Sequence, residues 1–135
     1  VACGINPHAG DHGLIGTDEK RILVPALRVL KKVKIPVAGP VPADTVFKEM
    51  AEGHYDLALA AYHDQGMIPL KLYAPSRLVN ITLGLPFVRT SPGHGTAYDI
   101  AGQGRADAGP MIEAILLAVR YGKQKRGEGR KEKHP

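Results

Sequence analysis

Tryptophan is absent from this chain of 135 residues, aromatic residues make up only 5%, and there is a single cysteine. One cysteine excludes a disulfide framework and suits a reducing, cytoplasmic setting. Set in the apolar run Val1-Ala2-Cys3-Gly4-Ile5, Cys3 reads as a small buried hydrophobe rather than a nucleophile. The scarcity of aromatics removes the stacking platforms of a single-strand nucleic-acid binder. No apolar run reaches the length of about 20 residues that a membrane-spanning helix needs. The opening segment also lacks an initiator Met, a basic n-region and the apolar stretch of a signal peptide, and reads as an interior strand.

Acidic charge is in short supply, which leaves a net charge of +5. Most of that excess sits in 123–135, where Lys123, Lys125, Arg126, Arg130, Lys131 and Lys133 face only Glu128 and Glu132. The body, 1–122, is nearly neutral. A Lys/Arg/Gly run without apolar periodicity predicts a solvated, frayed tail and no nucleic-acid partner.

Alternating patterns fill the body. Segment 1–5 reads as a strand and 6–16 as a Gly/His-rich loop. Thr17 is placed to cap a helix over 18–32, with a kink at Pro25. A short strand begins at 35–37, Gly39-Pro40-Val41-Pro42 reads as a turn, and Asp44 as the cap of a helix to about residue 52. The apolar run 57–61 predicts a strand buried on both faces, 66–73 a short helix, 78–83 a strand, and 96–101 and 107–121 helices. Without any internal repeat, this alternation predicts an α/β layered fold.

Two segments carry a histidine in a turn-rich stretch at the end of an apolar strand, where open α/β sheets bind ligands. They are Asn6-Pro7-His8-Ala9-Gly10 and Ala61-Tyr62-His63-Asp64-Gln65-Gly66. Imidazole is a common ligand for zinc and similar ions, and a catalytic site needs three protein ligands with one position open. Two are visible. An isolated loop histidine is also read as a polar surface group, which is how His12, His54 and His134 are taken. Tyr62 and Tyr73 read as packing residues.

The order and spacing of these two motifs with three others is distinctive. The others are Gly39-Pro40-Val41-Pro42-Ala43-Asp44-Thr45, the run 79–91 containing Asn80-Ile81-Thr82-Leu83-Gly84-Leu85-Pro86, and His94-Gly95-Thr96-Ala97. Together they resemble the 4-hydroxythreonine-4-phosphate dehydrogenase family of vitamin B6 biosynthesis. The resemblance covers 1–120 and corresponds to the C-terminal part of that family's chain. It implies a layered α/β/α fold like that of isocitrate and isopropylmalate dehydrogenases, a cytoplasmic homodimer, NAD or NADP, and a divalent metal (zinc, cobalt, manganese or magnesium).

By the same resemblance His8 and His63 are metal ligands, the third lying outside this chain, with Asp44 and Asp64 beside them to orient the imidazoles. Lys71, Asn80 and Arg89 match substrate-binding positions. Their chemistry fits a phosphorylated amino acid: a point charge, an amide and a planar fork. Lys71 is also the one candidate for a general base. Gly93, His94, Gly95, Thr96 and Asp99 correspond to a cofactor loop, where glycines allow close backbone approach and a helix opening near Thr96 would offer amides to phosphate. A Gly-rich helix cap is the simpler reading of that stretch. The implied reaction oxidises 4-phosphohydroxy-L-threonine and then decarboxylates it to 3-amino-2-oxopropyl phosphate. Oxidation of 4-phosphothreonate or 4-phosphoerythronate is the near alternative, and a phosphate acyltransferase of similar fold the distant one.

Overall fold

A computed structural model describes residues 1–131, which divide into two units, Val1–Pro69 and the residues from Leu70 onward. Helices combine with bridged extended segments in the first unit and with a two-stranded hairpin in the second, an α/β composition.

In the first unit, three extended segments run parallel with 1–4 in the middle. On one side Ala2 N donates to Ala38 O, Val41 N to Ala2 O and Gly4 N to Val41 O, at 2.8–3.0 Å. On the other, Leu59 N donates to Val1 O and Cys3 N to Leu59 O, at 2.8 and 3.0 Å. Successive residues of 1–4 thus serve opposite neighbours, which buries Ala2 and Cys3 to 1% exposure. Burial pushes the Cys3 thiol pKa up, which suits an unreactive core residue.

Several expectations change here. Gly39 and Pro40 do not turn the chain; they lie within the outer segment, whose ladder uses only Ala38 and Val41. Pro40 has no N–H to give, so it is tolerated between those bonds at a sheet edge. The run 57–61 does pair, but Leu57 and Leu59 remain 68% and 54% exposed, so it is not covered on both faces.

The helices follow the expected order with shifted ends. The segment expected at 18–32 begins as a wide π-type turn, Glu19–Leu23, and becomes regular as α1, Val24–Lys32. Pro25 lies in the first turn of α1, where its missing N–H and its ring are accommodated by the wider turn before it. No side chain caps this start. α2, Ala43–Ala51, starts at an N-cap of Pro42, so Asp44 is an exposed residue of the first turn and not the cap. α3, His63–Tyr73, begins three residues earlier than the glycine at 66 suggests, which puts His63 at its first position.

In the second unit, β1, Val79–Thr82, and β2, Arg89–Pro92, form an antiparallel hairpin. β2 was not anticipated. α4, Gly109–Lys131, packs on both strands. The Thr90 hydroxyl donates to Ala114 O at 2.9 Å, Arg77 pairs with Glu113 at 3.6 Å, and Gly109 N is received by the Asp107 carboxylate. The helix continues past Tyr121, so the segment expected as a frayed tail begins inside it; 132–135 lie outside the described residues. The helix expected at 96–101 is only a single 3-10 turn, Tyr98–Ile100.

Candidate active site

A cavity of about 330 Å³ opens where the chain leaves the C-terminal ends of two neighbouring parallel segments, 1–4 and 57–59. That is the position where α/β sheets place their ligands, because the loops diverge there and leave a crevice. Its lining includes Asn6, Pro7, His8, Asp44, Tyr62 and Gln65. Tyr62, expected as a packing residue, is 55% exposed and lines the cavity. Tyr73, at 75%, is exposed as well.

His8 reaches the cavity from an unusual backbone. Over Pro7–Gly13 the chain makes a tight left-handed turn, with φ of 52° at His8, 51° at Ala9, 80° at Gly10, 39° at Asp11 and 54° at His12. For each of the four non-glycine residues this conformation costs roughly 1–2 kcal/mol. Glu19 supplies a compensation of matching size. Its Oε1 accepts the backbone N–H groups of Ile5 (2.8 Å) and Asn6 (2.7 Å), and its Oε2 accepts Asn6 Nδ2 (2.9 Å). Hydrogen bonds to a charged group contribute about 1.5–3 kcal/mol each. Asn6 Nδ2 also donates to Asp18 Oδ2. At Gly10, with φ 80°, a Cβ would come within 2.6 Å of Glu19 Oε2 and 2.9 Å of Gly16 O, which favours glycine there.

The two histidine loops are tied together beneath the cavity. Gln65, 8% exposed, donates from Nε2 to Gly4 O and accepts the Ala61 N–H on Oε1, both at 2.7 Å. One amide therefore fixes the exit of segment 1–4 and the entry to α3. Neither Glu19 nor Gln65 was singled out from the sequence. Glu19 looked like an ordinary acidic residue of a first helical turn, and Gln65 like a loop amide inside a motif; their burial comes from tertiary contacts.

Around this frame, His8 and Asp44 line the cavity, while His63 lies between the lining residues Tyr62 and Gln65 and is exposed, as is Asp64. His12 and His54 are exposed as expected, and His134 lies outside the described residues. No group of three or more His, Cys, Asp or Glu side chains is assembled for a metal among the described residues. The donor chemistry nonetheless suits a divalent ion of the zinc type: two exposed imidazoles, one in the Pro7–Gly13 turn and one at the start of α3, with carboxylates nearby in sequence.

The remaining candidates belong to the second unit. Lys71 is exposed on α3. Asn80 pairs with Ser91 and Thr82 with Arg89 across the hairpin. Because paired residues share a face and strands alternate, Asn80, Thr82, Arg89 and Ser91 lie on one face. Arg89 Nη1 donates to Thr82 Oγ1 at 2.9 Å, so it is held by a hydroxyl and not by an ion pair. Thr90, on the other face, is the residue bonded to α4.

In the loop after β2, Gly93 meets the Leu78 side chain, which a Cβ would strike, while Gly95 faces open space. Exposed His94 has Nδ1 2.9 Å from Gly95 O. Thr96 does not begin a helix, so the expected row of free amides is not formed there; Asp99 sits exposed in the 3-10 turn.

Parallel segments joined by crossover helices, with a cavity at their carboxyl ends, define the first unit as an α/β unit. The chain itself belongs to the family described as pyridoxal phosphate biosynthetic protein PdxA, which matches residues 1–118. It is 52% identical over 120 residues to the 4-hydroxythreonine-4-phosphate dehydrogenase of Xanthobacter autotrophicus, covering 89% of this chain and 34% of that one. Against the enzyme of the same name from Paracoccus denitrificans it is 54% identical over 115 residues, covering 85% and 36%. Among solved structures, the 4-hydroxythreonine-4-phosphate dehydrogenase of Klebsiella pneumoniae is similar with a TM-score of 0.76 and 52% identity, over 87% of this chain and 35% of that one. A terephthalate 1,2-cis-dihydrodioldehydrogenase from Burkholderia xenovorans is similar at 0.64 and 40%, over 87% and 37%. The chain thus spans about a third of the length of the relatives it matches.

Proposed function

We propose that, in the complete protein, this chain forms the metal-binding and anion-binding part of an NAD(P)-dependent 4-hydroxythreonine-4-phosphate dehydrogenase. The observation that supports the reading best is the cavity at the ends of 1–4 and 57–59, lined by His8 and Asp44, in a chain about half identical to enzymes of that name. The layered arrangement of isocitrate and isopropylmalate dehydrogenases, a cytoplasmic location and a homodimeric state belong to the same reading.

His8 and His63 would hold a divalent metal (zinc, cobalt, manganese or magnesium) together with a ligand from outside this chain. Such an ion supplies Lewis acidity that eases deprotonation of the substrate alcohol and stabilises negative charge during loss of carbon dioxide. A nicotinamide bound at the 93–99 loop would supply the acceptor for the hydride lost from the carbinol carbon. Asp44 and Asp64 would orient the imidazoles of a metal-bound site by accepting a ring N–H. Arg89 and Asn80 present a guanidinium and an amide from one face of the hairpin to the substrate's anionic groups, and Lys71 adds a point charge. A role for Lys71 as base requires that it be covered in the complete protein. Gly93, His94, Gly95, Thr96 and Asp99 form the cofactor side, with Gly95 the position open to close approach.

Oxidation gives a ketone beta to the carboxylate, and decarboxylation then yields 3-amino-2-oxopropyl phosphate. The test is steady-state NAD(P)H formation by the complete protein with 4-phosphohydroxy-L-threonine, 4-phosphothreonate and 4-phosphoerythronate in parallel. Preference for the first by tenfold or more in kcat/KM, about 1.4 kcal/mol, supports the reading. Preference for either of the others reassigns the substrate. His8→Ala and His63→Ala should each reduce bound metal and turnover together, and full metal occupancy in both would remove the metal assignment.

A further inference from the structure

We infer that Glu19 is a positioning residue of the His8 site: its buried carboxylate clamps the Ile5–Asn6 backbone and the Asn6 side chain, and so holds the left-handed turn that carries His8 to the cavity. What His8 does once positioned rests on the metal-binding reading above; the clamp itself does not.

Three observations converge. Glu19 is 4% exposed, and its oxygens accept hydrogen bonds from Ile5 N, Asn6 N and Asn6 Nδ2. Among the described residues no cation pairs with it, so the charge is stabilised by hydrogen bonds of a single loop rather than by an ion pair. An amide in its place could still accept both backbone N–H groups on its oxygen but would turn its NH2 toward Asn6 Nδ2, so the carboxylate is the side chain that serves all three donors. Second, the clamp brackets the histidine. Asn6, two residues before His8, is bonded to Glu19, and Gly10, two residues after it, lies against Glu19 Oε2 at a distance no Cβ would tolerate. Third, His8 itself has a φ of 52° in a run of left-handed residues, a conformation that persists only when its surroundings impose it. Glu19 therefore acts through the backbone and not by touching a ligand.

The test uses the complete protein with Glu19→Gln, and Glu19→Asp as a second variant should the first not fold. Asp keeps the charge but its shorter arm cannot serve all three donors. Leu27→Ala, which opens the buried face of α1, is the control for general destabilisation. Two quantities are read: the affinity for zinc alone, by competition with a chromophoric chelator, and amide hydrogen exchange over residues 5–13 in metal-free protein. Loss of an outer partner of a metal ligand typically lowers affinity by about 10–100-fold. Both Glu19 variants should lose zinc affinity by about that factor and exchange faster over 5–13, while Leu27→Ala stays within about twofold of the parent in affinity. Unchanged affinity together with unchanged exchange in the Glu19 variants overturns the clamp. Equal loss of affinity in Leu27→Ala also overturns it, since the effect is then one of stability alone. Should His8→Ala bind zinc as the parent does, the metal reading fails; faster exchange over 5–13 in Glu19→Gln then supports the clamp and unchanged exchange rejects it.

Discussion

Glu19 keeps its charge inside the protein because its environment donates on all sides. Burial alone would raise its pKa, but the Asn6 side chain and the backbone N–H groups of Asn6, Glu19 and Ile5 together outweigh it and hold the carboxyl below its ordinary value. A depressed folded-state pKa means that the unfolded chain takes up the proton first as pH falls. The stabilisation is therefore complete above the unfolded-state value and is lost as pH drops through the folded-state value. Thermal melts of the complete protein from about pH 7 to about pH 2 should show the parent losing more stability on acidification than Glu19→Gln, whose side chain does not titrate. Parallel curves for the two proteins would contradict the linkage.

Arg89 belongs to the same scale and gives the opposite pattern. Exposed and held only by the Thr82 hydroxyl, it contributes little to folding; Arg89→Ala should shift stability by no more than about 0.5 kcal/mol. On the proposed function, the same change in the complete protein should raise KM for the phosphorylated substrate by tenfold or more while barely moving KM for the nicotinamide. Arg89→Lys should restore only part of it, since a point charge lacks the planar fork. Equal changes in both constants would take Arg89 out of the substrate pocket.

Among the elements, the loop after β2 separates two reasons for glycine that a sequence cannot distinguish. At Gly93 the reason is internal: the backbone runs against Leu78, with Gly93 N donating to Leu78 O at 2.9 Å. At Gly95 nothing in the chain comes within 4 Å of a Cβ position. Gly93→Ala should destabilise by about 1–3 kcal/mol through overpacking. Gly95→Ala should leave the melting temperature unchanged and, where the cofactor passes close, raise KM for NAD(P) alone. A Gly95→Ala enzyme with normal cofactor kinetics would assign that loop elsewhere.

What the sequence made legible follows the same division. Helices α1 and α2, the β1 strand and the core position of Cys3 were readable because local period and apolar runs encode them. β2 was not, since Arg89-Thr90-Ser91-Pro92 has no apolar alternation and becomes a strand only by pairing with β1 and resting Thr90 on Ala114. Position 96 looked like a helix start because Thr precedes a favourable composition, yet Gly102 and Gly104 both have positive φ, and only one 3-10 turn forms. The His8 motif was visible, but its left-handed backbone was not, because that conformation is imposed by a carboxylate eleven residues away in sequence. Gln65 was likewise quoted within a motif without its strut to Gly4, a contact across 61 residues.

For the molecule as a whole, burial and apolar exposure are out of proportion. Among the described residues only Ala2, Cys3, Leu27, Val46 and Ala114 are buried hydrophobics, whereas Leu14, Leu72, Leu83 and Tyr98 are each at least 77% exposed. Large exposed apolar areas mark surfaces that another body covers. On α4 the five residues Met111, Ile112, Ile115, Leu116 and Val119 recur at helical spacing, and all are 45–56% exposed. The helix instead turns Pro110 and Ala114 inward. The stripe is therefore open to cover by a second subunit or by the remainder of the complete chain. The two possibilities separate by experiment. Ile115→Glu in the complete protein places a charge on a half-exposed position, so it should leave the secondary structure intact and, where α4 forms the subunit interface, weaken self-association by more than tenfold in sedimentation. A dimer of unchanged strength would show that α4 is covered within one chain or lies outside the interface. Mixing His8→Ala with a variant at the metal ligand contributed from outside this chain then tests whether the site is shared: recovery of activity in mixed dimers requires ligands from both subunits. Two inactive proteins that stay inactive after subunit exchange, with exchange confirmed by mass, would place the whole site within one subunit.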